Sequence, residues 1–164
     1  MNYDLNDPLI KEIIEKTIED PSEVEKLIFK INDTIINSGI IYRKCATEVD
    51  DAIRYFTSGH CNIYAEILYR VLGDYMQAYD NNDHIVSKIG DVYYDFNGLY
   101  DITKSETKFR LYDNKYLLEP MYCILGNYDK EEDLPIISVG EAAGKKYIYD
   151  KAYGLSSENS SITL

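Results

Sequence analysis

The stretch Asp83–Asp95 reads DHIVSKIGDVYYD. Two runs rich in β-branched and aromatic residues, 85–89 and 92–96, flank the dipeptide Gly90-Asp91. A two-residue connection with glycine is typical of a β-hairpin, because the tight turn needs positive φ angles that glycine adopts without steric cost. The stretch therefore predicts two antiparallel strands.

The turn also fixes which side chains share a face of this hairpin. Counting back from Gly90-Asp91 places Asn97 directly opposite His84 and Asp95 on the diagonal, all on one face. Either the carboxylate or the carboxamide would be able to orient the imidazole. The opposite face is more apolar, and we expect the N-terminal helices to cover it, which would bury the sheet on both sides. Its residues are Ile85, Ile89, Val92, Tyr94 and Phe96.

The first 56 residues predict helices. Asp7-Pro8 and Asp20-Pro21 each combine an N-cap residue with a first-turn proline, and isoleucine-rich stripes at helical spacing follow both. Gly39 is placed to end the second helix, and Thr47 to cap a short third one.

A further helix is predicted from about Gly59 to Leu72, with Thr57 or Ser58 as its cap and Gly73 at its end. Cys61 would lie in its first turn, on the apolar face. Unpaired N–H groups and the helix dipole favour negative charge there, and hence the thiolate form that acts as a nucleophile.

The rest of the chain predicts more strands, which makes the fold class α+β: N-terminal helices followed by a mostly antiparallel sheet. We expect one domain over residues 1–155 and a frayed tail over 156–164. Acidic residues at 129–133 predict a solvated loop. The further strands are expected at 75–79, 116–118, 121–125, 136–139 and 147–149, with turns at 113–114, 126–127 and 143–144.

Composition limits the possible functions. The net charge is −12, which argues against direct binding to nucleic acid, since phosphate backbones are bound by clustered Lys and Arg. Neither a membrane-spanning run nor a signal peptide is recognisable, so a cytoplasmic location is expected. Three cysteines without a CxxC pair indicate neither a disulfide framework nor a zinc site, and Cys45 and Cys123 are expected to be bystanders. No cofactor or metal is implied.

Cys61, His84 and Asp95 carry the chemistry that this sequence predicts. The helix-start cysteine would be the nucleophile, the strand histidine its base, and Asp95, or alternatively Asn97, would hold the ring in the useful tautomer. Buried cysteines and strand histidines are also common as ordinary core residues, so each residue taken alone would be unremarkable.

This order of residues, a cysteine at a helix start followed by a histidine and an aspartate on successive strands, resembles the transglutaminase-like branch of the papain-like cysteine hydrolases. The likeness covers about residues 58–98. It implies a papain-like core, a Cys61-His84-Asp95 triad, and a peptidase, amidase, deamidase or transglutaminase-like activity on a protein, peptide or amide. No glutamine precedes Cys61, so its backbone N–H with His60, Asn62 or Ser58 would have to form the oxyanion hole.

A different class of function also fits the sequence. The acidic charge and 17 tyrosines suit a non-enzymatic binding or inhibitor protein that occupies a basic site on a partner protein. A catalytically dead member of the same fold would combine the two hypotheses, and a small protein encoded by a phage or a mobile element would fit either.

Overall fold

The computed structural model of the protein describes residues 1–40, Ile53, Phe56, 60–119, 121–122 and 128–154. The helices bounded within these residues are α1 (Pro8–Glu19), α2 (Pro21–Asn37), α3 (Cys61–Leu72) and α4 (Leu134–Ala152). The strands are β1 (Met76–Asp80), β2 (Ile85–Ile89), β3 (Val92–Asp95), β4 (Gly98–Leu99), β5 (Arg110–Tyr112), β6 (Met121–Tyr122) and β7 (Tyr128–Asp129).

The main sheet is antiparallel with strand order β4-β3-β2-β1-β5, and β6 pairs separately with β7. This confirms the α+β class. The predicted hairpin is also confirmed: Ile89 pairs with Val92 across the turn, and Gly90 has a φ of 63°.

The two N-terminal helices begin where the Asp-Pro pairs predict. The side chain of Asp7 accepts a hydrogen bond from the N–H of Leu9 at 2.9 Å, and that of Asp20 accepts one from Ser22 at 3.0 Å. Both caps satisfy N–H groups that the helix itself leaves without an acceptor. After α2, Gly39 adopts a φ of 74°, as expected of the residue that ends a helix.

The apolar face of the hairpin packs against α3, the helix that begins at Cys61. The expectation that the N-terminal helices cover this face is therefore corrected. The Tyr64 and Phe96 rings meet edge to face with centroids 5.4 Å apart. Helix α3 is buried almost all round, because α2 and α4 contribute to the same core behind it. The residues that the sheet and its β3–β4 turn contribute to this core are Met76, Ala78, Ile85, Ile89, Tyr94 and Phe96.

The strands predicted at 136–139 and 147–149, with a turn at 143–144, are wrong, because these residues form α4. Their glycines allow helices to approach closely and do not make turns. A Cβ at Gly140 would come within 2.8 Å of Ile67, and one at Gly144 within 2.6 Å of Val71. Short apolar runs separated by glycine are compatible with the periodicity of a strand and with that of a helix, and in this segment tertiary packing favours the helix.

Three smaller predictions are also corrected. Residues 114–118 form a 3₁₀ helix capped by Asp113, where a turn and a strand were expected. The acidic segment is not a solvated loop: residues 130–133 form a 3₁₀ helix that buries Asp133 completely. The first predicted strand begins at Met76, because Tyr75 ends a 3₁₀ turn.

Several predictions fall on residues outside the described ranges. They are the caps at Thr47, Thr57 and Ser58, the bystander cysteines Cys45 and Cys123, the turn at 126–127, the later part of the strand at 121–125, and the tail at 156–164. Ile53 and Phe56, from the predicted short helix, are helical. Within the described part of the chain, every helix is too short or too polar to cross a membrane.

Candidate functional site

The site is built where strand β3 leaves its partner β2. The ladder between them ends at the Ser87–Tyr94 pair, because the chain turns after Asp95 and pairs back on itself as β4. By the register of the hairpin, Phe96 would have been the next hydrogen-bonded partner of Ile85. The end of the sheet therefore has a gap between two strands that are paired elsewhere.

Asn32 of α2 helps to hold this gap open. Its carboxamide nitrogen donates to the backbone oxygen of Phe96 at 2.7 Å, and its oxygen accepts from the hydroxyl of Tyr64 at 2.6 Å. The carbonyl that would have extended the ladder is thus bound by a buried side chain. The N–H of Ile85 is left for another acceptor, which sequence reasoning had no means to identify.

That acceptor is the sulfur of Cys61. The N–H of Ile85 donates to Cys61 Sγ at 3.3 Å, and Cys61 is the first residue of α3. This contact explains how a helix packed on the apolar face can still deliver its thiol beside His84. Because β3 has turned away, the sulfur reaches the sheet through its end and does not need to cross it.

His84 lies between this thiol and Asp95. Its Nε2 is 3.0 Å from Asp95 Oδ2, and the two side chains are only 11% and 8% exposed. The hydrogen bond assigns Asp95 as the group that orients the ring. Asp95 is in turn fixed by the N–H of Asn97, which donates to Oδ1 at 2.8 Å.

The protonated form of His84 is favoured by its neighbours. Burial on its own lowers the pKa of the imidazole, but hydrogen bonding and charge interaction with Asp95 and Cys61 outweigh it and raise the pKa to about 9. Asp95 occupies Nε2, which leaves Nδ1 as the second polar atom of the ring.

Nδ1 itself is buried, and none of the described residues forms a well-aligned hydrogen bond with it. Cys61 therefore lies close enough to influence the ring, but outside the geometry of a formed hydrogen bond. Contacts between catalytic groups are often long or misaligned before substrate binds.

One aromatic ring packs against the histidine, and a second ring packs against the first. The centroid of Tyr100 is 5.2 Å from that of His84, and Phe109 meets Tyr100 edge to face at 5.7 Å. A cover of this kind excludes water and strengthens the hydrogen bond beneath it. Tyr100 and Phe109 were not predicted, because neither belongs to a recognisable motif and Phe109 comes from a distant part of the chain.

The other predicted site residues fall into separate places. Asn97 lies in the β3–β4 turn with its side chain exposed, so it is not the orienting group, because the strand ends before it can face His84. His60 is the N-cap residue of α3, and its Nε2 lies 3.8 Å from Oδ2 of Asp133. Ser58 lies outside the described residues.

Asn62 is next to the thiol in sequence and is 5% exposed. Its carboxamide oxygen accepts from the N–H of Ile63 at 3.1 Å, and among the described residues nothing accepts from its NH₂ group. A donor next to the nucleophile is thus available. No group of three or more His, Cys, Asp or Glu side chains in the described ranges is arranged to hold a metal ion.

Comparisons of the chain with protein-family models, with curated proteins and with solved structures gave no match.

Proposed function

We propose that the protein is a small thiol-dependent hydrolase or acyltransferase with a papain-like, transglutaminase-like core. The observation that carries the proposal is the position of His84, which is hydrogen-bonded to Asp95 through Nε2 and directly precedes Ile85, whose N–H donates to the sulfur of Cys61. The roles are Cys61 as nucleophile, His84 as base and then acid, and Asp95 as the residue that orients the ring. The resemblance of residues 58–98 to that superfamily supports the same assignment.

In the proposed reaction, the sulfur of Cys61 attacks the carbonyl carbon of an amide or thioester. Because the raised pKa of His84 favours the imidazolium at neutral pH, the ring already holds the proton of the thiol when the new C–S bond forms, and the π electrons of the carbonyl move to its oxygen. The bond to the leaving group then breaks, and His84 returns the proton to the departing amine or thiol. Water completes a hydrolysis by attacking the acyl-enzyme, whereas an amine acceptor would complete a transfer.

The oxyanion formed in this step needs donors. The N–H of Cys61 is at the first position of α3 and has no acceptor within its helix, and the NH₂ group of Asn62 is the nearest side-chain donor in sequence. His60 is the weaker candidate, because its ring is directed to Asp133.

A second candidate function is binding without catalysis. The net charge of −12 favours it, because an acidic surface attracts a basic partner protein at long range. Under this hypothesis the Cys61–His84 contact would be structural, and the Cys61→Ala variant would bind its partner as well as the wild type.

Alkylation of the native protein with iodoacetamide across pH separates the two, with peptide mapping to follow each cysteine. The proposal predicts rapid modification of Cys61 below about pH 7, where an ordinary thiol reacts slowly. Cys45 and Cys123 serve as internal references, and Cys61→Ala should remove the fast phase. Slow labelling of Cys61 with an ordinary thiol profile would contradict the enzyme hypothesis.

A further inference from the structure

The turn before His84 is closed by a side chain. Between β1 and β2, the N–H of Asn81 donates to the backbone oxygen of His84 at 3.2 Å. In return, the N–H of His84 donates to the side-chain oxygen Oδ1 of Asn81 at 2.8 Å, and Asp83 donates to the same oxygen at 3.0 Å. Asn81 therefore holds both backbone groups of His84, on either side of its Cα.

Asn81 is also connected to the segment that covers the histidine. Its Nδ2 donates to Ser105 Oγ at 3.0 Å, and Ser105 donates to the backbone oxygen of Thr107 at 2.6 Å. In sequence, Ser105 lies between Tyr100, whose ring packs against the imidazole, and Phe109, whose ring packs against Tyr100. A single side chain, 7% exposed, thus connects the backbone of His84 with the segment that joins these two aromatic residues.

We infer that Asn81 is a positioning residue for the proposed thiol site, which sets the distance from His84 to Cys61 and Asp95 through the backbone of the turn. The inference rests on the proposed function. The same turn places Asn82 at a φ of 76°, a backbone conformation that is uncommon for residues other than glycine. The hydrogen bonds that Asn81 accepts help to stabilise the turn in this conformation. If the imidazole were displaced by about 1 Å, it would be poorly placed to hold the proton of the thiol, and the reactivity of Cys61 would fall.

The test compares two asparagines. Asn114 is equally buried at 7% and also binds β1 through both ends of its carboxamide, accepting from Ala78 at 2.9 Å and donating to Met76 at 2.7 Å. It acts at the end of β1 farthest from His84. Asn114→Ala is therefore a matched control for the loss of a buried, strand-binding amide.

The measurements are the iodoacetamide rate at Cys61 across pH and the NMR titration of His84. Asn81→Ala should slow alkylation below about pH 7 by roughly tenfold or more and shift its pH midpoint. Asn81→Asp keeps the acceptor oxygen and should restore most of the rate, and Ser105→Ala should have an intermediate effect. Asn114→Ala should leave rate and midpoint unchanged even where it lowers the melting temperature.

An unchanged midpoint and an unchanged His84 titration in Asn81→Ala would overturn the inference. If that variant does not fold, Ser105→Ala decides, because a wild-type profile there contradicts the coupling through Asn81. Failure of the proposed function looks different: Cys61 of the wild type would then already label slowly, before any variant is made.

Discussion

The molecule contains two histidine–aspartate pairs near one cysteine, and they differ in nearly every respect that matters for chemistry. His60 precedes Cys61 in sequence, yet its Nε2 is 3.8 Å from Asp133. His84 is 23 positions away, yet it is hydrogen-bonded to Asp95 at 3.0 Å and its pKa is raised in part by the thiol. Adjacent residues at a helix start project in directions about 100° apart, so sequence neighbours are poorly placed to share a proton.

The comparison shows how a backbone gap creates a site. The His84 pair lies where a ladder has been interrupted, and the interruption supplies a free N–H for the sulfur and space for it beside the ring. The His60 pair lies at the start of a helix, where Asp133 is fully buried.

The largest difference is expected when each histidine is replaced by alanine. His84→Ala should slow alkylation of Cys61 below about pH 7 by roughly a hundredfold, because a positioned base contributes on that order. His60→Ala should change it by no more than about threefold, since its ring is near Asp133 and a residue adjacent to Cys61 projects in another direction. Rates of labelling at Cys61, measured by mass spectrometry, give both numbers, and equal effects of the two substitutions would remove the distinction drawn here.

A second difference concerns stability against pH. The pKa of His84 is raised from 6.5 to about 9 on folding, so its contribution is fully present below about pH 6.5 and is lost as the pH rises through 9. The wild type should therefore lose up to roughly 3 kcal/mol more unfolding free energy between about pH 6 and pH 10 than His84→Gln does. Urea unfolding at both pH values measures this. Parallel losses in wild type and His84→Gln would count against the raised pKa.

The smallest expected effect is on one amide proton. Blocking the sulfur of Cys61 with a methylthio group should weaken the hydrogen bond from Ile85, so that its amide proton signal moves upfield in the NMR spectrum. Ser87, which forms the last pair of the β2–β3 ladder with Tyr94, is the matched reference and should not move. A shift of equal size at both positions would point to a general rearrangement of β2.

Local signals were sufficient for the fold wherever a turn or cap fixes the geometry. Gly90-Asp91 set the hairpin register, and Asp7 and Asp20 set the helix starts, because each acts through neighbouring backbone groups. Helix α4 was misassigned, because Gly140 and Gly144 serve contacts with helices far away in sequence. No local pattern encodes such contacts.

The site was predictable to the same extent. Cys61, His84 and Asp95 follow from helix phase and hairpin register, whereas the choice of Asp95 over Asn97 depends on where β3 ends. That end involves the bond from Asn32 to Phe96, which joins residues 64 positions apart. The aromatic cover by Tyr100 and Phe109 is a tertiary contact of the same kind.

An NMR titration of the His84 imidazole shows whether His84 and Cys61 act on each other. In the native protein the pKa should be about 9, and it should fall when the sulfur of Cys61 is blocked by a methylthio group, because the interaction with Cys61 that helps to raise it is then lost. A pKa near 6.5 that is indifferent to the state of Cys61 would contradict the account.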